Sequence, residues 1–122
     1  SLALSYNRIG AVYTSRGDLE SALHAMHEAL EMQVEILGDD HIEVAKTLHN
    51  IGVCHRHRNK LDGALEFYQH AHEIFTSNLG RDHLDTVRTL HNIGGVHRRR
   101  KEYPEAMECF KEVLEVRRRL LG

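Results

Sequence analysis

The side chains in this sequence that could do chemistry are numerous but poorly assembled for catalysis. The 122 residues include eleven His, two Cys and sixteen Lys or Arg. Cys54 and His57 stand three apart, close to one helical turn, where an imidazole could take the proton of a thiol. An activated nucleophile also needs a group that orients the His, and no such third group accompanies this pair. Free cysteine is among the most buried residue types, so Cys54 reads as a structural thiol. His24 and His27 could share a helix face, but no cluster of Cys, Asp or Glu completes a site of four ligands around them. His55 and His57, like His70 and His72, are two apart and point to different helix faces. No catalytic residue, metal or other cofactor is therefore expected. What remains is a set of cations, imidazoles and amides that recur at a fixed spacing, and the elements that carry them explain the recurrence.

Residues 37–52 read LGDDHIEVAKTLHNIG and residues 79–94 read LGRDHLDTVRTLHNIG. Ten of the sixteen positions are identical at an offset of 42. The offset also links Ile9-Gly10 to Ile51-Gly52, Ala22 to Ala64 and Ala106, and Leu37-Gly38 to Leu79-Gly80 and Leu121-Gly122. A fixed period of this size marks a repeat array. Three units follow, 1–37, 38–79 and 80–122, and the first lacks its opening turn. The chain starts without Met and stops on a unit boundary, and it is expected to be a piece of a longer array.

Each unit reads as two antiparallel helices, A and B. In the first unit helix A spans about 2–15, Arg16-Gly17-Asp18 turns the chain, and helix B spans about 19–37. Gly38 then ends helix B as a glycine past the C-terminus does. Asp40, with Glu43 three residues on, has the spacing of a capping box for the next helix A, which reaches about Arg58. His41 and His83 recur beside this cap and are expected to support it. Asn59-Lys60 makes the second turn, and helix B spans about 61–79. Asp82 with Asp85 repeats the cap, helix A of unit three covers about 83–100, and Pro104 sits in the first turn of the last helix, where its missing N–H costs nothing.

A 100° advance per residue separates two faces of helix A. The apolar face holds Leu48, Ile51, Gly52 and His55 in unit two and Leu90, Ile93, Gly94 and His97 in unit three. Gly at the third place lets helix B come close, with Tyr68 between Ala64 and Ala71 as its large residue, and Ala106, Phe110 and Val113 repeating the arrangement. The opposite face holds Lys46, His49, Asn50, Val53, Arg56 and His57 in unit two. In unit three it holds Arg88, His91, Asn92, Gly95, Arg98 and Arg99, and in unit one Leu4, Asn7, Arg8, Ala11, Thr14 and Ser15. None of the three sets contains an acid, which marks this face as a candidate for binding acidic groups.

The sequence of a large residue, Leu/Ile-Gly, Tyr, Ala, an aromatic and a second Ala resembles the tetratricopeptide repeat. It falls on Tyr6, Ile9, Gly10, Tyr13, Ala22, Met26 and Ala29, and again on Leu48, Ile51, Gly52, His55, Ala64, Tyr68 and Ala71. A third copy falls on Leu90, Ile93, Gly94, His97, Ala106, Phe110 and Val113. The 42-residue period, the LG-x-DH start, the His-Asn pair at Asn50 and Asn92 and the long helix B look like the kinesin light chain type of that repeat, where the usual period is 34. His55 and His97 depart from the usual Tyr, and Met26 and Val113 from the usual aromatic and Ala. The resemblance implies an all-α, right-handed α-solenoid whose helices A line a concave side where peptides bind. Asn50 and Asn92 would then hydrogen-bond an extended peptide backbone, and Asn7, His49, Val53 and His91 would line the same groove. Lys46, Arg56, Arg88, Arg98 and Arg99 would attract acidic side chains or a C-terminal carboxylate. The clamp that some such domains use for chaperone C-termini is incomplete, since only Asn50 and Arg88 match it. Protonation of His49 and His91 near pH 6 would strengthen acidic-peptide binding.

The expected function is a non-enzymatic scaffold or adaptor for a protein partner. A self-associating array, paired through Leu2, Leu4, Leu120 and Leu121, is one alternative, and nucleic-acid binding through the basic last unit is another. Residues 81–122 carry ten cations against seven acids, whereas residues 1–37 carry two against five and residues 38–80 four against six. The runs Arg98-Arg99-Arg100-Lys101 and Arg117-Arg118-Arg119 end helices, where cations offset the macrodipole, and no aromatic residues interleave them to stack bases. No apolar run approaches the ~20 residues of a membrane span and no signal peptide is visible. Two cysteines without a CxxC partner predict free thiols and a cytoplasmic location.

Overall fold

The computed structural model describes residues 2–122 and contains, among them, six helices: α1 (Leu2–Ser15), α2 (Leu19–Leu37), α3 (Ile42–His57), α4 (Leu61–Leu79), α5 (Leu84–Arg99) and α6 (Tyr103–Leu121). Each helix packs chiefly on its neighbours in sequence, so the fold is an all-α solenoid of three helix pairs. No helix among the described residues is long and apolar enough to cross a membrane.

There is no central core, because apolar faces close only between adjacent helices. One cluster lies within the second pair and joins Val44, Ala45 and Leu48 of α3 to Ala71, Ile74 and Phe75 of α4. Two others stitch pairs together. Ala22, Leu23 and Met26 of α2 meet Ile51 and Cys54 of α3, and Ala64 and Tyr68 of α4 meet Ile93 and Val96 of α5.

The turns inside the pairs share one backbone device. Gly17, Asn59 and Lys101, each one period from the next, have φ of 80°, 59° and 64°. Glycine takes this left-handed conformation freely and Asn tolerates it, but a residue such as Lys loses roughly 1–2 kcal/mol there. The helix starts correct one expectation. His41 and His83, rather than Asp40 and Asp82, are the N-caps of α3 and α5, and their Nδ1 atoms accept from the backbone N–H of Glu43 and Asp85 at 3.0 and 3.1 Å. Asp82 is used elsewhere and accepts two hydrogen bonds from Arg119, at 3.0 and 2.9 Å.

Close approach within each pair rests on glycines one period apart. A methyl group on Gly52 would lie 2.8 Å from the Tyr68 ring, one on Gly94 would lie 2.9 Å from Phe110, and one on Gly10 would lie 2.9 Å from Met26. Replacing glycine by alanine inside a helix gains about 1 kcal/mol of propensity, while forcing atoms into a packed core costs about 1–3 kcal/mol. Tyr68 is rigid and fully buried, whereas Met26 is unbranched and adaptable. Gly52→Ala is expected to destabilise the chain by about 1–2 kcal/mol and Gly10→Ala to be close to neutral. Urea unfolding midpoints of the two variants check this, and equal midpoints would show that ring rigidity does not set the helix separation.

Candidate functional site

The acid-free face of α1, α3 and α5 separates into residues that hold the array together and residues that remain open to a ligand. Asn7 belongs to the first group. Its Nδ2 donates to Thr47 Oγ1 at 2.9 Å, and Thr47 in turn donates to Gln33 Oε1 at 2.6 Å, so a polar seam ties α1 and α2 to α3. His49 also belongs there. It is 9% exposed, its ring lies 5.4 Å from that of Tyr68, and its Nε2 accepts from the Asn92 amide at 2.8 Å. Burial, with the charge of Arg88 as the next cause, pushes the His49 pKa down to about 4. The expectation that His49 protonates near pH 6 is therefore corrected: a ring out of water, accepting from an amide, is held neutral. Asn92 is half-buried and already engaged with His49.

The residues open to a ligand are fewer. Asn50 and Val53 of α3 line a hollow of about 150 Å³ together with Ala11 and Thr14 of α1 and Met26 of α2. Arg56 stands one turn beyond Val53 and is half-buried, and Arg98, its equivalent on α5, is exposed. Neither forms an ion pair among the described residues. Lys46 and Arg88 sit at the other end of the same helices and are engaged, Lys46 with Glu43 at 3.5 Å and Arg88 with Asp85 at 3.0 Å. These acids lie one turn before the basic face. Such exposed pairs hold for only about 0–1 kcal/mol, so both cations can be released. His91 is exposed on α5 with its ring 5.5 Å from Phe110. Arg99 leans to the rim, where its Nη2 donates to Asn59 Oδ1 in the preceding turn at 3.0 Å.

Sequence reasoning assigned Met26 to packing alone, yet it also floors the hollow. Its place one period before Tyr68 was the available signal, since the larger ring at that place contacts His49 on the same face. The Tyr68 hydroxyl itself is buried without a hydrogen-bond partner, and burial pushes its pKa up to about 12. Cys54 is buried against Thr14 Oγ1 at 3.5 Å and Met26 Sδ at 3.8 Å, and burial raises its pKa, which leaves it a packed thiol rather than a thiolate. Cys109 is also unpaired and only half-buried. No group of three or more potential metal ligands lies close together among the described residues.

The sequence profile of the tetratricopeptide repeat matches twice, over residues 1–77 and 43–119. The chain belongs to the tetratricopeptide repeat family. Solved structures agree in fold. BtubC (BKLC) from P. vanneervenii superposes with a TM-score of 0.91 at 19% identity, over 97% of this chain and 46% of that one. A putative kinesin light chain from Podosopora anserina with nearly identical TPR-like repeats gives 0.85 at 16% identity, over 97% and 56%. The chain thus spans about half the length of these structures. No curated protein sequence matches it. Tetratricopeptide repeats are, as a family, a fold of protein–protein interaction scaffolds.

His49 gives the site a measurable signature. Its folded pKa of about 4 lies below the 6.5 of a free imidazole, so the unfolded chain binds the extra proton between these values. Stability from this group is fully present above pH 6.5 and is lost as pH falls towards 4. The full shift corresponds to roughly 3 kcal/mol as an upper bound. His49→Gln, which keeps an acceptor for Asn92, is expected to flatten the fall in urea midpoint between pH 6.5 and 4 by up to one proton's slope. An unchanged slope would mean that His49 does not stay neutral in the folded chain.

Proposed function

We propose that this chain binds an extended, acidic segment of a partner protein along α1, α3 and α5. The observation that carries the reading is the pair Arg56 and Arg98. Arg56 on α3 and Arg98 on α5 stand one period apart, Arg56 one turn beyond Val53 at the hollow lined by Ala11, Thr14, Asn50 and Val53, and neither carries an internal counter-charge among the described residues. Guanidinium groups present forked N–H donors that match carboxylates, so an acidic segment is the ligand that such a pair selects. Asn50, at the hollow, would hold the segment's backbone, and Val53 would take a small apolar side chain. Lys46 and Arg88 would join by exchanging Glu43 and Asp85 for ligand carboxylates, and His91 and Arg99 would bound the far rim. His49, Asn92 and Asn7 would act behind this surface by fixing the spacing of the helices that carry it. Both cysteines are unpaired thiols, which supports a cytoplasmic setting for this adaptor.

A fluorescence-anisotropy titration with a library of acidic peptides tests the reading. Two charge-assisted contacts of about 1.4 kcal/mol each correspond to a hundredfold in affinity. The Arg56→Glu, Arg98→Glu double variant is therefore expected to lose about a hundredfold or more. Lys46→Ala and Arg88→Ala are each expected to lose about threefold, because their ion pairs to Glu43 and Asp85 must first be given up. Equal binding by the native chain and the double variant would overturn the proposal.

A further inference from the structure

The turns that join the two helices of each pair occupy equivalent positions, and the one in the second pair lacks an acid that the other two have. In the third pair that acid is Glu102. Its carboxylate accepts from His97 Nδ1 at 2.8 Å and from Arg100 Nη2 at 3.2 Å, while Arg100 Nη1 reaches back to Asp62 at 3.4 Å. In the first pair the acid is Asp18, which accepts from the Ser21 amide at 3.2 Å and caps α2. In the second pair the same place holds Lys60.

The groups that grip the Glu102 carboxylate are nevertheless repeated there. His55 and Arg58 are the equivalents of His97 and Arg100. The backbone is nearly the same, with φ and ψ of −94° and 77° at Lys60 against −90° and 72° at Glu102, and a residue of positive φ precedes each. Arg58 repeats the backward contact of Arg100, through Nη2 to Glu20 at 2.6 Å, and its Nη1 has no partner among the described residues. His55 Nδ1 is buried and also without a hydrogen-bond partner. It faces Gly63, where a Cβ would lie 3.3 Å away. His55, Arg58, Lys60 and Gly63 all line an open depression of about 530 Å³. The third pair shows that this backbone admits a carboxylate to the imidazole, and Gly63 puts no side chain in its way.

The electrostatics favour an anion from outside. Helix α4 begins on a cation, against the macrodipole, and no side chain caps it. Burial first, and then the charges of Arg58, His27 and Lys60, lower the His55 pKa, so the field at the ring is positive. The acids beside the turn are already paired, Glu20 with Arg58 and Asp62 with Arg100. Asp62 also lines the depression, and its charge weighs against a ligand with two negative charges. A flat carboxylate with one charge matches one imidazole donor and one guanidinium edge. The depression is far larger than a carboxylate, so the group arrives on a stem, as it does on Glu102.

We infer that the turn between α3 and α4 binds a glutamate side chain of a partner protein, with His55 Nδ1 and Arg58 Nη1 each holding one carboxylate oxygen and the Lys60 ammonium beside them. The site is independent of the α1–α3–α5 face, because His55 lies on the packing face of α3 and not with Asn50 and Val53.

The probe that tests it is a blocked tripeptide, acetyl-Ala-Glu-Ala-amide, with the Gln peptide as its control at equal ionic strength. Nuclear magnetic resonance signals of the His55 ring and the Gly63 amide read this site alone, whatever happens at Arg56 and Arg98. Two charge-assisted contacts correspond to a dissociation constant on the order of 10 mM. The Glu peptide is expected to shift both signals and the Gln peptide to leave them in place. His55→Phe keeps the stack on Phe67 and removes the donor. It is expected to cut the Gly63 shift at about 10 mM peptide roughly fivefold, the result of a tenfold loss in affinity. Lys60→Glu is expected to supply the carboxylate from within the chain, raising the His55 pKa from below the 6.5 of a free imidazole to above it and abolishing peptide binding. A His55 pKa that Lys60→Glu leaves unchanged, or equal shifts from the Glu and Gln peptides, would overturn the inference. Acetate or inorganic phosphate binding more tightly than the Glu peptide would also overturn it, and would give the site to a free anion.

Discussion

The absence of one methyl group at Gly52 governs how near α3 lies to α4, and the rest of the array inherits that distance. With no Cβ in the way, the Tyr68 ring settles against the α3 backbone and is fully buried. From there it contacts His49 on α3 and packs with Ile93 and Val96 of α5. His49 is thereby kept dry and neutral, and its ring nitrogen is left as an acceptor for Asn92 on α5. A packing decision inside one pair becomes, through two rings and an amide, the lateral spacing between the helices that carry the basic face. In a solenoid such links replace the central core, since each unit can bury its apolar surface only on its neighbours.

The same frame is solved differently in each unit. His97 donates Nδ1–H to Glu102 at 2.8 Å and so closes the third pair across its turn. In the second pair the equivalent residues are His55 and Lys60, and no hydrogen bond joins their side chains among the described residues. The His55 Nδ1 atom is buried without a partner, its ring is stacked on Phe67 at 5.3 Å, and its pKa is lowered by burial and then by Arg58, His27 and Lys60. A site that hydrogen-bonds in one unit thus packs as an aromatic in the next, without altering the helix register. Between pairs, Gln33 and Phe75 show the same freedom. Interlocking small and large residues fix the register, and individual polar contacts are then adjustable.

That division explains what the sequence made legible. The helices, their turns and the three glycines follow from a period and from backbone requirements, which are local properties of residue type. Partners across the units are not local. Asn92 and Asn50 occupy equivalent positions, yet Asn92 is drawn to His49 while Asn50 lines a hollow, because the neighbour of α5 along the face is α3 and the neighbour of α3 is α1, whose equivalent residue is Asn7 rather than His. The caps were misplaced by one residue for a related reason. Asp40 and Asp82 carry the side chain usually found at that position, but the chain enters the helix one residue later, and the ring nitrogen of His41 or His83 reaches the same amide.

The electrostatics of the basic face then follow from where acids are permitted. Acids at the start of a helix are favoured by the macrodipole and cations at its end likewise, so Glu43 and Asp85 belong in the first turns of α3 and α5 and Arg56 and Arg98 in the last. Lys46 and Arg88 lie within reach of those first-turn acids and are partly neutralised, while Arg56 and Arg98 are between three and four turns away from them. Because all helices A run in the same direction, these free cations accumulate along one border of the face instead of alternating in sign. A parallel array of helices with ordinary end charges therefore generates a line of positive charge as a consequence of its topology. The hollow between α1 and α3 adds a shape to that sign, and the proposed peptide binding rests on the two together.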